Sequence, residues 1–203
     1  MIALLIYLKH RFPFLWRMVD VINGLLFGLR YGMFRFQVAR ILQAYHATDF
    51  RLAPLEEADL STLHVFLTSQ PEESLRYFAP HPFDLHTLKR LHSNRAFLMM
   101  KAIDKSTERF AGYFFLRGFF IGRAFHGLIV DAAMRGKGIG TAMWGVSEQI
   151  CRACDIAMYA TISRHNPASI ISAARGTTLK LEKILADDFL LVRCLPQMSK
   201  NHE

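Results

Sequence analysis

The chain has 203 residues, 52% of them hydrophobic, and a formal net charge of +8. That size suits one ordinary domain plus an extension, with ample apolar content for a core. Residues 1–47 hold six Lys/Arg and a single acid, Asp20, so the extension carries +5 and the remainder only +3, too little to mark a nucleic-acid-binding face.

In chain order, the first segment, Met1 to Leu8, is apolar but is broken by Lys9, His10 and Arg11. It has neither the charge-first order nor the small-residue cleavage site of a signal peptide. No uninterrupted apolar run approaches the roughly 20 residues of a spanning helix. Residues 14–45 carry apolar side chains at helical spacing, among them Leu15, Met18, Ile22, Leu25, Leu29, Met33 and Phe36. Gly24, Gly28 and Gly32 recur every four residues and fall along one side, where another backbone could approach closely. Two readings stand open for this basic amphipathic segment. It lies on an anionic membrane surface, or it packs on its own domain or a second subunit.

Arg51 to Leu55 reads as a strand and Glu56 to Thr68 as a helix with acids in its first turn. A short helix over Glu73 to Phe78 is ended by Ala79-Pro-His-Pro82, and Asp84 caps a helix reaching His92. Ala96 to Ile103 and Phe110 to Leu116 read as hairpin strands around the polar turn Asp104 to Glu108. Gly118 to Arg123 reads as a loop, followed by a strand over Ala124 to Val130. A helix over Thr141 to Cys154, a strand over Ile156 to Ile162, a helix from Asn166 to about Arg175 and a closing hairpin (Leu179 to Ile184, Phe189 to Cys194) complete the chain.

The stretch between Val130 and Thr141 carries the most information. Gly136, Gly138 and Gly140 stand at every second position between an apolar strand and a helix. Such a turn aims free backbone N–H groups and the positive end of the helix dipole at one point, and Arg135 and Lys137 add charge there. The expected ligand is a phosphate or pyrophosphate. The Walker A spacing is absent, and the dinucleotide spacing Gly-x-Gly-x-x-Gly does not fit.

Arg135-Gly-Lys-Gly138-Ile-Gly140 does match Arg/Gln-x-x-Gly-x-Gly/Ala, and on these residues the chain resembles the GNAT superfamily of N-acetyltransferases, over roughly residues 48–195. Val130 five residues before the arginine, and Asn166-Pro-Ala-Ser169 after the next strand, agree with that resemblance. It implies an α/β chain (α+β type) with the GNAT fold, a mixed central sheet of about six to seven strands flanked by helices. It implies residues 48–203 as the acetyltransferase domain and residues 1–47 as a helical extension. It implies acetyl-CoA as cosubstrate, held by Leu128, Ile129, Val130, Arg135, Gly136, Lys137, Gly138, Ile139, Gly140, Thr141, Asn166 and Ser169. The implied activity is transfer of an acetyl group to a primary amine of a small molecule, an amino sugar among the candidates, by direct attack on the thioester. A CoA-binding regulatory module and a protein N-acetyltransferase are the alternatives.

Acetyl transfer needs a group to take the amine proton. By period two, His126 shares a strand face with Leu128 and Val130, and a reference pKa near about 6.5 makes it the expected base. The resemblance leads one to expect a tyrosine seven residues after Asn166, but Ala173 stands there, which leaves neighbouring Ser172 or water as proton donor to the departing thiol. Arg76, Tyr77, Phe78 and His81 lie where this superfamily usually binds its acceptor. The cysteines Cys151, Cys154 and Cys194 make no disulfide framework and the nine histidines show no metal-ligand spacing. Buried thiols, no metal and a cytoplasmic setting, peripheral at the inner membrane surface on the first reading of the extension, are expected.

Overall fold

The computed structural model describes residues 13–197, with side chains from Met18 onward. The apolar segment Met1 to Leu8 lies outside these residues. Two helices open the described chain, α1 (Pro13–Arg30) and α2 (Phe34–Ala44). They replace the single helix expected over 14–45, with a turn through Tyr31, Gly32 and Met33 between them. A mixed sheet of seven strands follows, in the order β1-β2-β3-β4-β5-β7-β6. Its strands are β1 (Phe50–Pro54), β2 (Phe97–Asp104), β3 (Phe110–Phe119), β4 (Arg123–Val130), β5 (Ala157–Ser163), β6 (Thr178–Ile184) and β7 (Phe189–Leu195). The β4–β5 pair is parallel and its neighbours are antiparallel.

Between β1 and β2 come α3 (Leu60–Thr68), the one-turn α4 (Glu72–Leu75) and α5 (Leu85–Ser93). Asp84 caps α5 by accepting the Thr87 N–H at 2.9 Å. After β4 comes α6 (Ile139–Ala153), and after β5 comes α7 (Pro167–Gly176).

Both faces of the sheet centre are covered, which is why β2 and β3 read as nearly continuous apolar runs. Alternation along β3 divides the core. Tyr113 and Phe115 face α3 and α5 with Leu63, Leu67 and Leu88. Phe114 and Leu116 face the other way, with Trp144 of α6 and with Phe27, Phe34, Val38 and Leu42 of the two N-terminal helices. So α1 and α2 share a core with the sheet. Their polar groups are also used: Asn23 donates to the Gly118 carbonyl at 3.0 Å and accepts from the Phe120 N–H at 3.1 Å, and Asp20 pairs with Arg117 at 2.7 Å.

Two expectations need correction. Strand β3 continues through Gly118 to Phe119, because the Phe27 ring lies where a Cβ at Gly118 would stand and the hairpin turns instead at Gly122, whose φ is +83°. Gly24 and Gly28 do not receive another backbone; they accommodate the side chains of Asn94 and Arg95 of the same chain.

Candidate functional site

The turn after β4 has the form that a phosphate cradle needs. Asp131 accepts the Ala133 N–H at 2.8 Å and starts a single 3₁₀ turn, Ala132–Met134. Gly136 and Gly138 then adopt φ values of +81° and +79°, the left-handed region that favours glycine. No atom lies within 4 Å of a Cβ built on either residue, so the glycines answer to backbone conformation and leave open space outside the loop. Gly138 caps α6, whose first internal bond runs from the Ala142 N–H to the Gly138 carbonyl. The N–H groups of Ile139, Gly140 and Thr141 precede that ladder and remain available to an anion. Arg135 donates to Ser74 Oγ of α4 at 2.5 Å, and exposed Lys137 stands beside it. This open, positive, N–H-lined hollow fits a pyrophosphate.

A second feature lies next to the turn. Strands β4 and β5 pair only over Arg123↔Ala157, Ala124↔Met158 and Phe125↔Tyr159, although β4 runs on to Val130 and β5 to Ser163. Beyond Phe125 the two strands part, leaving an edge of β4 over residues 126–130 without a strand partner. Half-buried Leu128 and Val130 flank that opening from the α6 side, where the Val130 Cγ2 lies 3.7 Å from a Cβ built at Gly140. The Ile129 side chain turns into the opposite core, so only its backbone faces the gap. On the far side Asn166 caps α7 by accepting the Ser169 N–H at 3.1 Å. Ser172 donates to the Ser169 carbonyl at 3.0 Å, and its Oγ lies 3.6 Å from the same built position at Gly140. Thus β4, the turn and the start of α7 converge on one opening.

Sequence spacing did not reveal how tightly α7 joins this arrangement. A Cβ at Gly176 would meet the Thr141 carbonyl oxygen at 2.5 Å and the Trp144 Cβ at 2.7 Å. The glycine at the end of α7 is what lets that helix lie against the first turns of α6.

His126 does not stand where a base must. It is 6% exposed, its ring 4.4 Å from that of Trp144 and 6.4 Å from that of Phe114, on the α6 face of the sheet. Neither ring nitrogen has a hydrogen-bond partner. Burial lowers its pKa to about 3, with the nearby Phe115 backbone opposing weakly. The expectation of a strand base at this position is withdrawn: a sealed imidazole that stays neutral can neither reach an amine nor hold its proton.

On the opposite face the acceptor stretch divides. Phe78 is core: it is buried among α3, α5 and β3 side chains, stacked with Phe83 and edge-on to Tyr113. Its expected part in holding an acceptor is withdrawn, since only 7% of its surface is exposed. Arg76 is exposed and lies over the half-buried Tyr77 ring. His81 sits among the rings of Phe83, Phe97, Tyr113 and Phe115, with centroids 5.7 to 6.2 Å away. Its Nδ1 lies 2.8 Å from the Pro82 carbonyl, which only accepts, so Nδ1 carries the hydrogen and Nε2 the lone pair. Nε2 faces the Tyr113 hydroxyl at 3.4 Å. Burial, more than the Arg90 charge, lowers the His81 pKa and keeps the ring neutral near pH 7. Tyr113 pairs in register with Ile129, which puts the couple one strand from the opening. Tyr113 carried no signal in the sequence.

The three cysteines are free thiols, with Cys151 and Cys194 buried; burial pushes the Cys194 thiol up to about 12. With Glu148 and Arg193, Cys151 and Cys194 line a pocket of about 240 Å³ by the C-terminal end of α6, away from the glycine turn. Among the described residues no three His, Cys, Asp or Glu side chains group to hold a metal ion, and no helix is long and apolar enough to cross a membrane.

A family model described as the acetyltransferase (GNAT) family matches residues 61–174. No curated protein sequence matches the chain significantly. Among solved structures it is similar to the GNAT domain of S. lividans PAT, with a TM-score of 0.61 and 18% identity over 72% of this chain and 90% of that one. It is also similar to the ribosomal-protein-S5-alanine acetyltransferase of Vibrio fischeri, with a TM-score of 0.60 and 15% identity over 75% and 96% of the two chains. The spermidine N-acetyltransferase of Vibrio cholerae, in complex with CoA and spermine, gives a TM-score of 0.58 and 16% identity over 73% and 95%. At these identities the likeness is one of fold, whereas the family match spans more than half of the sequence and includes the glycine turn. The chain belongs to the acetyltransferase (GNAT) family.

Proposed function

We propose that this protein is an acetyl-CoA-dependent N-acetyltransferase for a primary amine of a small molecule. The observation that carries the reading is the parting of β4 from β5 directly beside a glycine turn built for pyrophosphate. Residues 48–203 form the acetyltransferase domain and residues 1–47 an extension, whose helices α1 and α2 pack on that domain. Arg135, Gly136, Lys137, Gly138, Ile139, Gly140 and Thr141 hold the pyrophosphate, while Leu128, Ile129 and Val130 on one side, with Asn166 and Ser169 on the other, guide the pantetheine arm into the gap. When bound, acetyl-CoA supplies an activated acetyl group that a neutral amine attacks directly.

The protein's own part is to orient the amine, exclude water and move protons. The free edge of β4 offers backbone N–H groups to a carbonyl oxygen gaining charge. His81, half-buried and neutral with a lone pair on Nε2, takes the amine proton. Arg76 and Tyr77 border the acceptor, and water or Ser172 returns a proton to the leaving thiol. Spermidine in the named Vibrio cholerae relative supports an amine acceptor of small size. Amino sugars and polyamines are therefore the first acceptors to try. Thiol release from acetyl-CoA should rise when the right amine is added to the purified chain. Tight CoA binding without amine-stimulated release from a broad panel would instead assign the chain to a CoA-binding module, and acetylated lysines or N-termini in a mixture of proteins would assign it to protein acetylation.

A further inference from the structure

Helix α1 is amphipathic in reverse. Its inward side carries Asp20 and Asn23 beside Phe27, and these polar groups are satisfied by Arg117, Gly118 and Phe120. Its outward side carries Met18, Val21, Ile22, Leu25, Leu26 and Leu29, all exposed, with Leu29 79% exposed. At 100° per residue these six side chains fall on one continuous face. Past the turn, Met33 and Phe36 are also exposed. At the tip of the β3–β4 hairpin Phe120 and Ile121 are exposed, and the Phe120 carbonyl accepts from Arg30 Nη1 at 3.0 Å. The six side chains on the outer face of α1 alone are more than scattered surface side chains explain.

We infer that this face seats the protein on an anionic lipid bilayer, with α1 lying in the plane of the interface. The charge around the face selects that occupant. Arg30 stands at its margin and exposed Arg35 and Arg40 follow on α2, while the single acid of residues 1–47, Asp20, is turned inward and paired. A helix with a wide apolar face and basic flanks is the form that interfacial helices take. A second copy on the same face would bring two extensions of +5 together, and two of the three glycines that could have let a second helix approach, Gly24 and Gly28, are already filled by Asn94 and Arg95. The helix lies on the surface and does not cross it, since no described helix is long and apolar enough to do so.

The test is co-sedimentation of the full chain with vesicles of phosphatidylcholine alone and of an equimolar phosphatidylcholine–phosphatidylglycerol mixture. Binding to the anionic vesicles, weak binding to the neutral ones and loss of binding as salt is raised are expected. The double variant Leu25→Gln/Leu29→Gln, at two exposed positions, should lower the partition coefficient about tenfold or more with CoA affinity and melting temperature unchanged. Val21→Ser, one turn away, should act in the same direction and serves if the double variant fails to fold. Absence of binding to anionic vesicles overturns the inference, as does binding that ignores these substitutions. So does a concentration-dependent dimer in sedimentation velocity that the same substitutions dissolve, which would give the face to a second copy.

Discussion

Replacing His126 by leucine separates the two roles that a strand histidine can have. In the folded chain the imidazole is sealed between Phe114 and Trp144 with its pKa lowered to about 3, whereas in the unfolded chain it titrates near its ordinary value of 6.5. The unfolded state therefore binds more protons between these values, and stability falls as pH drops below 6.5. Above that pH the group contributes no pH dependence. At pH 5 the gap from 6.5 corresponds to about 2 kcal/mol, at 1.36 kcal/mol per pH unit. His126→Leu removes this liability, and it also removes two buried nitrogens that have no partner. On going from pH 7.5 to pH 5 the variant should lose about 2 kcal/mol less stability than the parent chain, or roughly 4–8 °C less in melting temperature for a chain of this size. Contributions from other groups cancel in that difference. At pH 7.5 its acetyl-CoA turnover should match the parent's. Equal acid sensitivity of the two proteins, or a folded variant that binds CoA and has lost turnover, would refute the burial argument and restore His126 as the base.

Three further outcomes follow from the site. Gly138→Ala places a side chain at a φ of +79° in open space, so the folded loop should carry roughly 1–2 kcal/mol of strain; the melting temperature should fall by roughly 2–8 °C and CoA affinity by calorimetry about tenfold. Gly176→Ala drives a methyl group into the Thr141 carbonyl and Trp144, and chemical denaturation should show a loss of about 1–3 kcal/mol together with weaker CoA binding as α7 is pushed from α6. His81→Asn should lower kcat by roughly 10²-fold or more while CoA affinity stays constant, and an unchanged kcat would remove His81 from proton transfer.

The glycine turn was legible because it is made of backbone. Gly136 and Gly138 must be glycine to hold positive φ, so the conformation leaves its mark on residue identity at fixed spacing, and the Asn166 and Asp84 caps are legible for the same local reason. The acceptor side was not. Period two places His126, Leu128 and Val130 on one face, but both faces of this sheet are covered, so alternation cannot tell which face reaches a cleft and which meets a helix. Phe78 and His81 stand in one aromatic run, and only packing makes the first a core residue and the second a neighbour of Tyr113, 32 positions away.

The extension shows where periodicity misleads about direction. Apolar spacing located α1, yet the residues that define the spacing turn outward, and Asp20, Asn23 and Phe27 turn in. The reason lies in what the domain offers there. The end of β3 presents the Gly118 carbonyl, the Phe120 N–H and the Arg117 guanidinium, groups that an apolar helix face would leave unsatisfied. Leaving the buried Gly118 carbonyl unpaired would cost about 1–3 kcal/mol, which favours a polar inner face at this contact. The hydrophobic face is then free for a different solvent, and the same hairpin that fixes the polar contact carries exposed Phe120 and Ile121. Because α1, β3 and α6 share one core, a surface held by α1 would fix the orientation of the β4–β5 opening relative to that surface.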